Sequence, residues 1–348
     1  MNRRMSRHIT KTRGVGRGLV LLTGATLLLA GCASASTSIP AVGQPSISIN
    51  APLTAVSCTT SGACVSVGAS GRANAPTAVA QVRNLKGVWS ALQVPSAPVA
   101  VFNAGSCGVT RCLFGGAQGS RELLWSIDAN TGSVQVLTGP AGGLVIDDLS
   151  CVNDHDCAVV DEATNRIPRL SFTTNAGVTW SAPRTLTWTA GKVTTLACVL
   201  GRECYLAATS SRHHVILRQT LNAGVTWRGV TTPASWTSLR ALSCTTACVA
   251  LITTTKGSAV AAPSPAPKAQ GWNETTIPFV AAGLACSSTT TCVAVGEDAA
   301  HAPAVARWQV HAVQQVALTY VPTPLTAVAC QKVVCVAIGV STVVALQP

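Results

Sequence analysis

The chain has 348 residues, of which 48% are hydrophobic and 10% charged, with a net charge of +12. That length allows one large or two ordinary domains, and the wealth of Val, Ala, Thr, Ser and Gly suits short strands and turns. Six of the 24 basic residues lie in the first 18, and the other 18 face 12 acids along the chain with no basic stripe interleaved with aromatics, so nucleic-acid binding is excluded.

The first segment reads as an export signal. Arg3, Arg4, Arg7, Lys11, Arg13 and Arg17 precede the apolar run "LVLLTGATLLLA", which is too short to span a bilayer as a permanent helix. "LAGC" follows at Leu29 to Cys32. This arrangement resembles the lipobox of bacterial lipoproteins. The resemblance implies cleavage after residue 31, diacylglycerol on the Cys32 thiol and acylation of the new amino terminus. Several acyl chains, palmitate among them, make a stable anchor where one would be marginal. The protein is therefore expected outside the cytoplasm, lipid-anchored to the membrane of a bacterial cell envelope. Residues 32–44 read as the lipidated cysteine and a flexible tether, and 45–348 as the folded domain.

That domain is a repeat. "SCTTSGACVSVG" at Ser57 is echoed six times, and the leading cysteines, Cys58, Cys107, Cys151, Cys198, Cys244, Cys286 and Cys330, are spaced by 49, 44, 47, 46, 42 and 44 residues. Their partners are Cys64, Cys112, Cys157, Cys204, Cys248, Cys292 and Cys335, which with Cys32 accounts for all 15 cysteines. An exported chain with one pair per repeat reads as disulfide-bonded. Spacings of three to five intervening residues, with no recurring histidine, do not suit zinc, and no other metal or cofactor is called for.

Within each copy, a strand ends at the first cysteine ("LTAVSC", "IDDLSC", "LRALSC") and another starts at the second ("CVSVG", "CAVVD", "CVALI"). A short turn makes them a hairpin with the cysteines facing across its mouth. A third strand follows a variable loop ("TAVAQVR", "ELLWSI", "HVILRQT"), then a tight turn and a fourth strand. Four antiparallel strands per repeat, seven times over, predict an all-β fold, a seven-bladed β-propeller with one disulfide per blade. The last repeat stops after its third strand, and "SISIN" at 46–50 is the candidate to supply the missing outer strand and close the ring. The chain reads as a monomer.

The turn between third and fourth strands is "TTNAGVTW" at Thr173 and "TLNAGVTW" at Thr220, with weaker echoes at "NLKGVW" and "DANTGSV". These turns resemble the Asp-box (BNR repeat) of sialidase-like propellers, with Asn175 and Asn222 in the aspartate's place. In that family the motif is architectural. Such propellers include sialidases and photosystem assembly factors. The resemblance therefore implies either a non-enzymatic scaffold with an envelope protein or glycan partner, or a glycoside hydrolase.

Ligands in propellers usually meet the face carrying the loops between second and third strands. Here these are read as 68–76, 115–122, 161–168, 209–214, a long 253–268 and 296–303. They hold Arg72, Arg121, Glu122, Asp161, Glu162, Arg166, Arg212, His213, His214, Lys256, Glu297, Asp298 and His301. One arginine on each of four successive blades suggests a ring that grips an anion; surface loops are also where charges ordinarily go. "RIP" at Arg166 resembles the sialidase arginine motif, but it falls in the third blade rather than near the domain's start. The required tyrosine nucleophile has two candidates, Tyr205 beside Cys204 and Tyr320 at a strand end, and neither suits the channel mouth. "NDHD" at 153–156 could ligate calcium, yet it lies at the opposite end of the strands from Asp147, Asp148 and Asp161. His213 and His214 with His301, Glu297 or Asp161 could bind a transition metal, but the histidines sit on blades four and six, which are not adjacent. No catalytic residue is assigned.

Overall fold

The structure, a computed structural model, describes residues 51–346 except 73–74, 190–191, 211–213, 265–270, 310–311, 319–320, 333 and 341. The chain divides into units 1–37 and 38–348. The signal, Cys32, the tether and the candidate closing strand at 46–50 lie outside the described residues. Among those described there is no helix.

Seven antiparallel sheets follow one another along the chain, six of four strands and the last of three, each with its strands in sequence order. The first strands are Leu53–Cys58, Ala100–Cys107, Gly143–Cys151, Val193–Leu200, Trp236–Cys244, Val280–Ser288 and Leu325–Gln331. Each contacts the next, and the seventh contacts the first, so they form the inner wall of a closed ring. This is the predicted seven-bladed propeller.

A blade is apolar on both faces and buries them only against its neighbours. Accordingly the apolar core is seven clusters, one at each junction. The seventh packs Leu53, Val56 and Cys58 of blade 1 against Val336, Ile338 and Val343 of blade 7. Gln331 Nε2 donates to the Cys58 carbonyl across the same seam at 3.1 Å. Large side chains such as Trp125, Trp236 and Phe102 are fully buried between sheets.

All seven disulfides form as paired, with Cα separations of 3.9–4.0 Å. Each joins directly opposed residues at the mouth of a hairpin. The preceding serine adds a link between blades. The Ser106, Ser150 and Ser243 hydroxyls each accept the amide of the next blade's leading cysteine at 2.9 Å.

The inner strands share a device that the repeat alignment does not announce. Each has a β-bulge four residues before its leading cysteine, at Thr54, Asn103, Asp147, Thr194, Arg240, Ala282 and Thr326. A bulge adds one residue to the crowded inner strand and increases its twist. It also strands a carbonyl, which Thr194 and Thr326 satisfy by donating to Ala207 O and Ile338 O, both at 3.3 Å.

One predicted boundary is corrected. Residues 253–268 are not a long loop between second and third strands. Gly257, with φ of 116°, completes a tight turn after Lys256, and Gly257–Pro263 is the third strand. Its five consecutive residues "SAVAA" are all buried. The extra length belongs between third and fourth strands. The connection in blade 2 is likewise tight, since its second strand runs on to Gln118 and the third begins at Arg121.

Each small disulfide loop removes about 2 kcal/mol of denatured-state freedom in the chain-entropy model. Replacing Cys244 and Cys248 together by alanine should therefore lower the unfolding free energy by about that amount in a denaturant titration, with unchanged far-ultraviolet dichroism. An unchanged midpoint would show that this staple contributes nothing.

Candidate functional site

The face opposite the disulfides carries the predicted ligand residues, and the structure brings some of them together at the junction of blades 2 and 3. In blades 1, 2, 6 and 7 the fourth residue after the second cysteine is glycine, at Gly68, Gly116, Gly296 and Gly339. In each, a carbonyl at or just before the start of the inner strand packs where a Cβ would lie. Blade 3 has Asp161 there, and blade 5 Ile252. Both blades have a second register shift in the inner strand, at Leu144 and Thr237, which moves that strand out of step with the larger side chain.

Asp161 is fully buried and is held by Arg169, directly opposite it on the next strand. The Arg169 guanidinium donates through Nε at 3.0 Å and Nη2 at 2.6 Å, and its Nη1 reaches the Ala141 carbonyl at 3.0 Å. Glu122 of blade 2 enters the same space. Gly139 and Gly143 pass so close to its carboxyl that a Cβ on either would displace it. Burial, reinforced by the hydrogen bond to Asp161 and that group's charge and partly opposed by Arg169, raises the Glu122 pKa to about 8. Near neutral pH, Glu122 is thus largely protonated beside an arginine-bound carboxylate.

The neighbouring acids are withdrawn as well. Asp147 is the bulged residue of blade 3, and burial followed by the charge of Glu162 raises its pKa to about 6, against the pull of Lys192. Its Oδ2 is buried without a partner. Asp148 accepts the amides of Leu196 of blade 4 at 2.6 Å and Leu149 at 2.8 Å. Burial outweighs those bonds and raises its pKa to about 7. Asp148 therefore ties two inner strands together.

The exposed groups of this face are mostly basic. Arg121 opens the third strand of blade 2 on the surface, and Arg166 is exposed in a left-handed turn with φ of 59°. Lys256 and His214 are exposed too. His301 is 81% exposed, and its Nδ1 lies 3.1 Å from Glu297 Oε2. Asp298 is occupied within its own turn, accepting the amides of Ala300 and Ala302. The Arg72 side chain, Arg212 and His213 lie outside the described residues, so of the proposed four-arginine ring the structure describes Arg121 and Arg166. Glu122 and Asp161 meet; Arg166 and the Glu297–His301 pair stand apart from them.

Arg169 was missed by the sequence reading, which stopped at "RIP". Its signal was available: Asp161 and Arg169 flank one hairpin loop symmetrically, which places opposite charges side by side across two strands.

The disulfide face answers two other expectations. Asp154 of "NDHD" accepts the Thr110 and Arg111 amides at 2.9 Å and the Thr110 hydroxyl at 3.0 Å, clipping blade 3 to blade 2. Burial alone would raise its pKa, but these donors outweigh it and hold the carboxylate below its usual range. Among the described residues no three His, Cys, Asp or Glu side chains group as metal ligands. Tyr205 sits in a cleft between blades 4 and 5, where its hydroxyl accepts Gln219 Nε2 at 2.7 Å. Gln219 also donates to Glu203 at 2.6 Å, so an amide bridges the tyrosine and the glutamate. Burial and then the Glu203 charge raise the Tyr205 pKa, the opposite of what activates a phenol as nucleophile. Tyr320 lies outside the described residues.

The turns at Thr173 and Thr220 are built alike. The Gly177 and Gly224 amides donate to the Thr173 and Thr220 hydroxyls at 3.0 and 2.8 Å, and the Thr179 and Thr226 amides donate to Asn175 and Asn222 Oδ1 at 2.9 Å. Trp180 then reaches back to the Thr138 carbonyl of the preceding blade at 3.1 Å.

These features define the class: a disulfide-stapled seven-bladed β-propeller. No protein-family profile and no curated protein sequence matches the chain. Solved structures do. The structure of YCF48 bound to D1 peptide superposes with a TM-score of 0.61 at 16% identity, covering 89% of this chain and 97% of that one. YCF48 from Cyanidioschyzon merolae gives 0.58 at 9%, over 87% and 97%. Virginiamycin B lyase from Staphylococcus aureus gives 0.58 at 10%, over 88% and 98%. At these identities the likeness shows the fold.

The raised carboxyl groups set a pH dependence. A folded pKa above the unfolded one contributes stability that is complete below the unfolded value, about 4.5, and is lost as pH rises through the folded value. Glu122, Asp147 and Asp148 all have this sign, so thermal stability should fall between pH 5 and 8. Glu122→Gln, neutral at every pH, should flatten that fall and melt above the parent at pH 8.5. A parallel pH profile for the two proteins would contradict the assignment.

Proposed function

We propose that this protein is a lipid-anchored propeller on the outer side of the membrane in the bacterial cell envelope, where it binds a protein partner as a non-enzymatic scaffold or assembly factor. The observation that carries the reading is the charge asymmetry of the loop face. Glu122, Asp147 and Asp161 are buried or neutralised, whereas Arg121, Arg166, Lys256 and His301 stand in solvent. A surface of that kind favours an acidic segment, steered by long-range charge and fixed by forked arginine bonds.

Support comes from three directions. The "LAGC" segment with its basic start and apolar core argues for the anchor. The threonine–asparagine turns, read as Asp-box turns, have architectural hydrogen bonds and leave no group free for chemistry. A structure of similar fold, YCF48, was solved with a bound D1 peptide, which supports a peptide as the occupant of such a ring. The sialidase-type alternative gains nothing from Tyr205, which is bridged to Glu203 by an amide and faces a lateral cleft.

Photo-crosslinking in intact cells tests the proposal. A photoreactive residue at position 121 or 166 should give one discrete protein adduct, and one at Thr60, in the blade 1 disulfide turn, should not. Adducts to glycan alone, or equal adducts from all three positions, would overturn it.

A further inference from the structure

The disulfide face carries a feature that the reading above leaves unused. Among the described residues, seven of the thirteen exposed large hydrophobic side chains lie on this face. Four of them, Val178, Leu200, Leu221 and Val225, lie on the turns of blades 3 and 4, each more than half exposed, and Val225 lines the groove between those two blades. Scattered exposed aliphatics are ordinary; a group around a concavity marks a surface that is covered in use.

The concavity is there. A groove of about 620 Å³ runs between the two blades, with Phe172 and Trp180 among its lining residues and Val225 on its edge. Arg184 from the outer strand of blade 3 and Arg202 from the disulfide turn of blade 4 line it as well. Both guanidinium groups are exposed, and neither has a hydrogen-bond or ion-pair partner among the described residues. The acidic side chain in the lining, Asp156, already accepts Asn153 Nδ2 at 2.7 Å. The groove thus offers an aromatic wall, an aliphatic edge at Val225 and two uncommitted forked donors.

The sequence builds this place twice over. Val178 and Val225 occupy the same position of the two "NAGVTW" turns. The left-handed residues Ala176 and Ala223, with the glycines after them, curl each turn so that the valine projects outward. The blade 3 turn supplies Trp180 and the blade 4 turn supplies Val225 to one groove.

We infer that the groove between blades 3 and 4 on the disulfide face is a second docking site, for a peptide segment that presents carboxylates beside apolar side chains. Charge complementarity selects the occupant. Two unpaired arginines flanking an apolar wall favour Asp or Glu next to Leu-like residues and disfavour a basic amphipathic segment. The site faces away from the loop face, so the propeller can hold two partners at once.

Fluorescence anisotropy with detergent-solubilised full-length protein tests this. Three labelled peptides are compared: alternating Leu and Asp, alternating Leu and Lys, and alternating Ser and Asp. The Leu–Asp peptide should bind saturably and the others at least about tenfold more weakly. Arg184→Glu combined with Arg202→Glu should weaken the Leu–Asp peptide by about tenfold or more, and Val225→Ser should weaken it too. All three side chains are exposed, so both variants should melt like the parent. Lys86→Glu, exposed in the blade 1 turn "NLKGVW" on the same face, should leave the affinity unchanged, which separates the groove from a general effect of surface charge. Absence of saturable binding, indifference to the Arg184 and Arg202 changes, or binding to phosphatidylglycerol vesicles in place of the peptide would overturn the inference.

Discussion

A sheet that is apolar on both faces has nowhere to hide them except against another sheet. That constraint governs this molecule. No blade has a core of its own, and the seven apolar clusters lie between blades. Each sheet is therefore stabilised by its neighbours, and the arrangement ends without exposed apolar faces when the last blade meets the first. Leu53 and Val56 packing on Val336 and Ile338 complete that circle within the described residues.

The other regularities follow from it. Inner strands converge on the axis and have little lateral room, so they carry small residues and a bulge at a fixed distance from the leading cysteine. The disulfide pins the register of the inner hairpin at one end. The same register sets the bulge, the serine link to the next blade and the position of the fourth residue after the second cysteine. Where that position carries a larger side chain, Asp161 or Ile252, the inner strand takes a second register shift, and at Asp161 a polar cluster grows in the junction. The Glu122–Asp161–Arg169 group is thus a local exception within a repeated frame, and it leaves basic groups facing solvent.

Much of this was legible in the sequence because its signals are local. The cysteine spacing, the hairpin on each pair and the threonine–asparagine turns are all short-range patterns, and they gave the blade count and the disulfide pairing. What was not legible depended on contacts between blades. Glu122 reads as one more charged loop residue until Gly139 and Gly143 close over it. Asp154 looks like an ion ligand until Thr110 and Arg111 of the preceding blade take its oxygens. Tyr205 gains its meaning from Gln219, fourteen residues away on the adjacent strand. The misplaced loop at 253–268 had a different cause. "SAVAA" is so rich in small residues that it reads as a linker, although small residues are what a crowded buried strand requires.

Ring closure is the claim on which both binding surfaces rest, since each is formed where blades abut. Hydrogen–deuterium exchange followed by mass spectrometry tests it most directly, by comparing the inner and second strands of blades 1 and 7 with those of blades 3 and 4. The account predicts matched, strong protection of 53–58, 64–72 and 334–339 against 143–151 and 203–209. Rapid exchange confined to blades 1 and 7 would mean an open arc with two free ends, and would contradict the closed propeller described here.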